Sequence, residues 1–237
     1  MTVALITGAG RGLGSSLAIE LAARGFKVAV HYHHSRSGAE ATCDVIGSRG
    51  GEAEPFPGDL TSDHETRRMV ADVAERWGRI DLLINNSGVY QEKPGLELTE
   101  SEWFDGLNTT VTAAYFTSRA CLPMLRDSPL KRVINIGDSA CDHIGARDMA
   151  WSYHVGKSGV WLLTRSLAAQ EAKHGLAVNM ISPGYLDNSV GLPPAEDMPS
   201  GQFAGFADIH HAVRFLAFDA PSQLSGSNLV VSGGWNL

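Results

Sequence analysis

VALITGAGRGLG, residues 3–14, decides the fold. VALIT (3–7) is a short apolar run, and glycines follow at positions 8, 10, 12 and 14. From there Leu13, Leu17 and Leu21 recur every four residues, the spacing of one helix face. The stretch therefore reads as a buried strand, a tight turn and a helix. Glycine lets the backbone turn sharply and approach a ligand, while the helix N-terminus offers unpaired N–H groups to a phosphate. A tight βα turn would use glycine in any case, but this context points to phosphate binding. The spacing is TGxxxGxG rather than GxGxxG.

Outward from this unit, strands and helices alternate. FKVAVHYH (26–33) reads as a strand, followed by a helix to about residue 49. EAEPFPGDL (52–60) is a weaker strand whose prolines suggest a sheet edge or a strand end. A helix over 62–77 is opened by Ser62 or Thr61, with Glu65 three residues beyond Ser62. RIDLLINN (79–86), RVINIGD (132–138), LAVNMISPG (176–184) and NLVVSGG (228–234) read as further strands. Helices are expected near 99–107, 110–126, 152–174 and 208–218, and a loop from Tyr185 to Gly205. This order predicts an α/β class, with a single doubly wound parallel sheet and helices on both faces. Without a repeat, low-complexity tract or linker, residues 1–237 read as one Rossmann-like domain. Ligands in such sheets sit beyond the C-terminal strand ends, where strand order reverses.

Composition narrows the function. Hydrophobic residues make up 43% and charged residues 19%, enough for a sizeable core. A net charge of −7 without a basic block argues against nucleic acid as a partner. No apolar run approaches the ~18 residues of a membrane span. MTVALITGAG carries no basic n-region or cleavage site, so a cytoplasmic location is expected. Cys43, Cys121 and Cys141, odd in number and without paired spacing, read as free thiols.

The end of the second strand bears on cofactor choice. An NAD site has an acid about 20 residues beyond the glycine turn, to bond the ribose 2′-hydroxyl. Here stand His31, Tyr32, His33, His34, Ser35 and Arg36, with no acid before Glu40. Imidazoles, a hydroxyl and guanidinium groups, with Arg11 of the turn, suit a 2′-phosphate and hence NADPH/NADP+. A wet histidine-rich turn is the plain alternative. A metal site would need a third ligand at a telling spacing, so no metal is expected.

WSYHVGKSGV (151–160) sets Tyr153 and Lys157 one helical turn apart. Alone, this could be an ordinary surface helix. However, TGAGRGLG (7–14), GDL (58–60), NNSG (85–88), YHVGK (153–157) and SPG (182–184) occur in that order. Together they resemble the short-chain dehydrogenase/reductase family over nearly the whole chain. The resemblance implies about seven parallel strands, a homotetramer or homodimer, and hydride transfer between a nicotinamide and a carbonyl-like carbon. It implies that Gly8, Gly12, Leu13 and Gly14 line the pyrophosphate, and that Asp59 and Leu60 flank the adenine. Asn86, Ser87 and Gly88 would face the adenosine ribose, and Pro183 and Gly184 would border the nicotinamide. Tyr153 would donate the proton, and Lys157 would hold the nicotinamide ribose. An ordinary tyrosine has a pKa near 10, so losing its proton at pH 7 costs about 4 kcal/mol. A cation within ~4–6 Å should lower that value, and Lys157 is expected to do so.

Two departures matter. NIGDSA (135–140) puts Asp138 where the family has a serine, with Ser139 one step behind, and the spacing to Tyr153 is slightly long. In extended chain only one of the pair reaches the substrate. Ser139 could donate to a ketone oxygen, as in 3-oxoacyl-carrier-protein reductases. An ionised Asp138 accepts only, and suits a cyclic imine bearing N–H groups, as in the pteridine reductases. HYHHS (31–35) resembles the latter, whereas Gly12 and NNSG fit the ordinary carbonyl reductases. Second, Thr110 or Val111 stands where a helix asparagine usually anchors a water chain to the lysine; Asn108 lies off position. A non-catalytic NADP(H)-binding regulatory protein is the rival reading. Trp103, Trp151, Trp161 and His154 read as structural, while Tyr185, Leu186, Asn188 and Ser189 should approach cofactor or substrate in a stiff lid.

Overall fold

The computed structural model describes residues 2–141, 143, 145–189 and 191–236. Seven parallel strands form one sheet in the order β3-β2-β1-β4-β5-β6-β7. They are β1 (Thr2–Ile6), β2 (Phe26–Tyr32), β3 (Glu52–Pro57), β4 (Leu82–Asn85), β5 (Arg132–Ile136), β6 (Ala177–Pro183) and β7 (Asn228–Val231). Helices α1 (Gly12–Ala22), α2 (Arg36–Ser48), α3 (Asp63–Trp77), α4 (Glu100–Leu107), α5 (Ala113–Asp127), α6 (Trp151–Glu171) and α7 (Phe206–Arg214) connect them. The doubly wound sheet expected from the alternating pattern is thus the fold.

The apolar runs explain the arrangement. All four residues of β4 and all seven of β6 are buried, as a sheet covered on both faces requires. One core lies under α1, α2 and α7, with Leu17, Leu21, Val28, Val30 and Leu216. The other, with Leu5, Met69, Val73, Leu83 and Leu125, lies under α3 and α5. Each such buried side chain contributes roughly 1.5–3 kcal/mol relative to exposure. β3 pairs with β2 alone, so Pro55 and Pro57 fall on an edge, where a missing N–H is tolerated.

Local signals set the boundaries. Ser62 caps α3 by accepting from Glu65 N (3.3 Å), and Gly78 ends it in the left-handed region. Thr99 and Glu102 form a capping box on α4. One feature escaped the periodicity: Asn108–Thr112 is a wide π turn joining α4 to α5, and Phe215–Asp219 is another after α7. Strand order reverses between β1 and β4, so the ends of these strands and of β5 and β6 frame a crevice.

Candidate active site

The glycine turn leaves β1 at the point of reversal. Gly8 (φ +63°) and Gly12 (φ +56°) occupy the left-handed region, and a Cβ on Gly14 would collide with the Gly8 carbonyl. Asn86 Nδ2 donates to the carbonyls of Thr7 (3.0 Å) and Gly8 (3.3 Å), and Thr7 Oγ1 accepts from the backbone N of Asn86 and of Ser87. Asn86 and Ser87 therefore fasten the turn to the end of β4. No side chain caps α1, whose N-cap is Arg11, and no acid stands in its first turn. Its leading N–H groups remain for an anion, so the turn fits a dinucleotide pyrophosphate.

At the end of β2 the histidines divide. His31 is 2% exposed: Nδ1 accepts from Gly8 N (3.0 Å), and Nε2 bonds the Gly58 carbonyl (3.0 Å). Burial lowers its pKa to about 4, so it stays neutral and ties the turn to β3. It cannot join a 2′-phosphate site, contrary to its grouping with the other strand-end residues. His33 and His34 are exposed and stack at 3.6 Å, beside Ser35 at the N-cap of α2. Arg11 is exposed; Arg36 is exposed and pairs with Glu40 (2.8 Å). Burial opposes ionisation of Asp59, but the N–H and hydroxyl of Thr61, then His33 and His34, hold its carboxyl below the usual range. Leu60 is 5% exposed within the core, leaving Asp59 as the more open residue of that pair.

Between the ends of β4, β5 and β6 lies a cavity of about 630 Å³. Leu13, Asn86, Gly88, Asp138, Ser139, Tyr153, Lys157, Pro183 and Gly184 of the expected set all line it. Gly8, Arg11, Gly12, Gly14, Ser87, His33, His34, Ser35, Asp59 and Leu60 do not, and lie toward the β1–β2–β3 side. Lys157 is buried, donates from Nζ to the Ile136 carbonyl (2.7 Å), and sits 5.5 Å from the Tyr153 ring centre. Burial lowers its pKa to about 8, against the opposing charge of Asp138.

Tyr153 reverses an expectation. Burial, then the charge of Asp138, Cys141 and Tyr90, and a hydrogen bond to Asp138 push its pKa well above 10. The expected lowering by Lys157 is absent because burial opposes an ionised phenol first of all, and a second anion beside Asp138 is costly. Asp138 also accepts from Ala140 N at Oδ1 (2.9 Å). Ser139 is instead 2% exposed, with its N–H on the Pro183 carbonyl (2.8 Å) and its Oγ accepting from Asn236 Nδ2 (3.1 Å). Of the two candidates, Asp138 is the one whose charge bears on the tyrosine, while the Ser139 hydroxyl is occupied by Asn236.

Thr110, in the π turn, is buried and donates to the Gly106 carbonyl (2.6 Å). The Gly88 backbone runs past both Thr110 and Lys157. Thr110 thus stands at the expected place with its hydroxyl proton committed elsewhere, while Asn108 accepts from Thr112 (3.1 Å). A short strap aims α6: Gly95 N bonds Asp148 O, Ala150 N bonds Lys93 O, and Ala150 turns the chain at φ +51°. A Cβ on Gly95 would enter the Trp151 ring, so that tryptophan packs as expected.

Several lining residues had no sequence signal. Tyr90 meets Tyr153 edge-on (5.2 Å), and Trp235 meets Tyr185 at 5.5 Å. His154, expected to be structural, faces the cavity beside Tyr153 (ring centres 5.4 Å apart). Burial lowers its pKa, with Asp138 raising it and Arg147 lowering it further. Tyr185, Leu186, Asn188 and Ser189 line the cavity as anticipated; residue 190 of the proposed lid lies outside the described residues. Among the described residues no group of His, Cys, Asp and Glu could hold a metal, and no helix is long and apolar enough to cross a membrane.

Comparison with known proteins agrees with this geometry. The family model for short chain dehydrogenase matches residues 2–196. A 3-oxoacyl-[acyl-carrier-protein] reductase (FabG) of Staphylococcus epidermidis ATCC 12228 is 30% identical over 239 residues, covering 98% of this chain and 97% of the relative. The FabG reductase of Escherichia coli K12 is 30% identical over 240 residues, covering 98% and 96%. A solved structure assigned to the short-chain alcohol dehydrogenases, from Sinorhizobium meliloti 1021, superposes with a TM-score of 0.90 at 28% identity, over 99% of this chain and 96% of that one.

Proposed function

The chain belongs to the short-chain dehydrogenase family of oxidoreductases, and from that premise we propose that it is an NADPH-dependent reductase of a small polar C=O or C=N substrate. The observation that carries the reading is Tyr153 with buried Lys157 (Nζ 5.5 Å from the ring centre) and Asp138 in one cavity that Leu13 of the glycine turn also lines. Gly8, Gly12 and Gly14 would cradle the pyrophosphate, and His33, His34, Ser35 and Arg11 the 2′-phosphate. Reduced nicotinamide supplies hydride when bound. A phenol with a raised pKa keeps its proton at neutral pH, and gives it up only to a strongly basic oxygen or nitrogen left by hydride addition. That favours reduction over alcohol oxidation, where the tyrosine would first have to ionise. Lys157 fixes the tyrosine's surroundings from below, through the Ile136 carbonyl.

Two observations bear on the substrate. The curated relatives are 3-oxoacyl thioester reductases by name, which favours a ketone. Asp138 accepts only, and would receive N–H groups of a cyclic imine such as a pteridine while releasing the Tyr153 hydroxyl toward the reacting atom. NADPH oxidation over a panel of dihydropterins and 3-oxoacyl thioesters separates them: turnover of thioesters alone, unharmed by Asp138→Ala, removes the imine. Tyr153→Phe should abolish turnover and spare NADPH binding; equal turnover refutes the proposed acid. NADH binding as tightly as NADPH refutes the 2′-phosphate site. We place the enzyme in the cytoplasm as a homotetramer or homodimer. Exposed Phe104, Tyr115, Val155 and Leu162 on α4, α5 and α6 support self-association, and a monomeric mass in solution would refute it.

A further inference from the structure

We propose that Arg147 forms a carboxylate subsite in the cavity, so that the substrate carries an acid group away from the carbon that is reduced; this rests on the reading of the cavity as the substrate site. Arg147 lies on the segment between β5 and α6, where the spacing to Tyr153 exceeds that usual for the family. It is half-buried and lines the cavity. Its guanidinium is fixed by two backbone carbonyls, Nη1 to Ala146 O (3.0 Å) and Nη2 to Ala140 O (3.1 Å). The Trp151 indole N–H on the Arg147 carbonyl anchors the backbone to the first residue of α6.

Charge accounting singles it out. The cavity's cations are Lys157 and Arg147, since burial keeps His154 largely neutral. Lys157 is bonded to Ile136 and packed against Tyr153. Arg147 forms no ion pair with any described residue, although Asp148 lines the same cavity. Asp138 and Arg147 both line the cavity, which therefore carries an acceptor-only group and a cation. A half-desolvated guanidinium with no counter-ion among the described residues, held by carbonyls at two of its five donors, offers the remaining fork to a planar anion. Arg147 carries a single charge, partly offset by Asp148 on the same cavity, so its planar fork suits a carboxylate monoanion better than a phosphate dianion.

The test uses 4-carboxybenzaldehyde and its neutral partner, methyl 4-formylbenzoate, titrated calorimetrically into the NADP+-loaded protein. The parent should bind the acid about ten- to hundred-fold more tightly than the ester, the range for hydrogen bonds to a charged group. Arg147→Gln should level the two, and Arg147→Lys should keep part of the preference. Equal binding in the parent, no measurable binding of the acid, or a preference that survives Arg147→Gln overturns the subsite. Reduction of the ester with NADPH reports on the reductase reading alone. Turnover of the ester without acid preference sinks the subsite and spares that reading, and acid preference without turnover does the reverse.

Discussion

Replacing Lys157 by methionine should change how stability depends on pH. Burial lowers the Lys157 pKa from 10.5 to about 8, so between those values the unfolded chain binds the extra proton. Stability therefore rises with pH across that window. The gap, about 2.5 pH units at about 1.4 kcal/mol each, makes the buried ammonium cost about 3 kcal/mol at pH 7 and about 1 kcal/mol at pH 10. Methionine fills similar space without a charge, though it strands the Ile136 carbonyl, a pH-independent loss of about 1–3 kcal/mol. Every other titrating group is common to both chains. Urea unfolding at pH 7 and pH 10, at one protein concentration, should show the parent gaining about 2 kcal/mol more than Lys157→Met. A stability difference that stays the same at both pH values refutes the reasoning.

Burial first and then the Asp138 charge hold the Tyr153 proton, so Asp138→Asn should move the rising limb of alcohol oxidation with NADP+ to lower pH; an unmoved limb contradicts the pairing. His31→Gln removes a buried neutral imidazole whose pKa is about 4 against 6.5 unfolded. Between pH 7 and pH 5 the parent should therefore lose about 2 kcal/mol more than the variant in urea melts. Gly95→Ala drives a Cβ into Trp151 and should cost about 1–3 kcal/mol by thermal melting, with reduced NADPH oxidation as α6 shifts.

The sequence disclosed the frame and hid the contacts between distant segments. Apolar runs and the glycine turn located every strand: burial on both faces leaves the clearest trace in β4 and β6, while the half-buried edge strands β3 and β7 leave a weaker one. Tyr153, Lys157 and Asp138 were legible as candidates, but the partner of the phenol was not. Spacing on α6 suggested the ammonium, while folding brings a carboxylate from the end of β5. His31 and His33 look alike in sequence and would share a strand face, yet β2 ends at Tyr32, so His31 is buried under the glycine turn while His33, beyond the strand, is exposed. The choice between Asp138 and Ser139 rests on Asn236, nearly a hundred residues away, and no local pattern announces that contact. Nor did residue spacing signal the left-handed Ala150 or the π turn at 108–112, which packing imposes.

The most direct measurement follows the hydride. The protein is incubated with NADPH carrying deuterium at both C4 positions of the dihydronicotinamide and with the best substrate of the panel, and the product is weighed by mass spectrometry. One deuterium on the reduced carbon, with no product from Tyr153→Phe, is the predicted result. Unlabelled product, or as much labelled product from the phenylalanine variant as from the parent, would contradict the account.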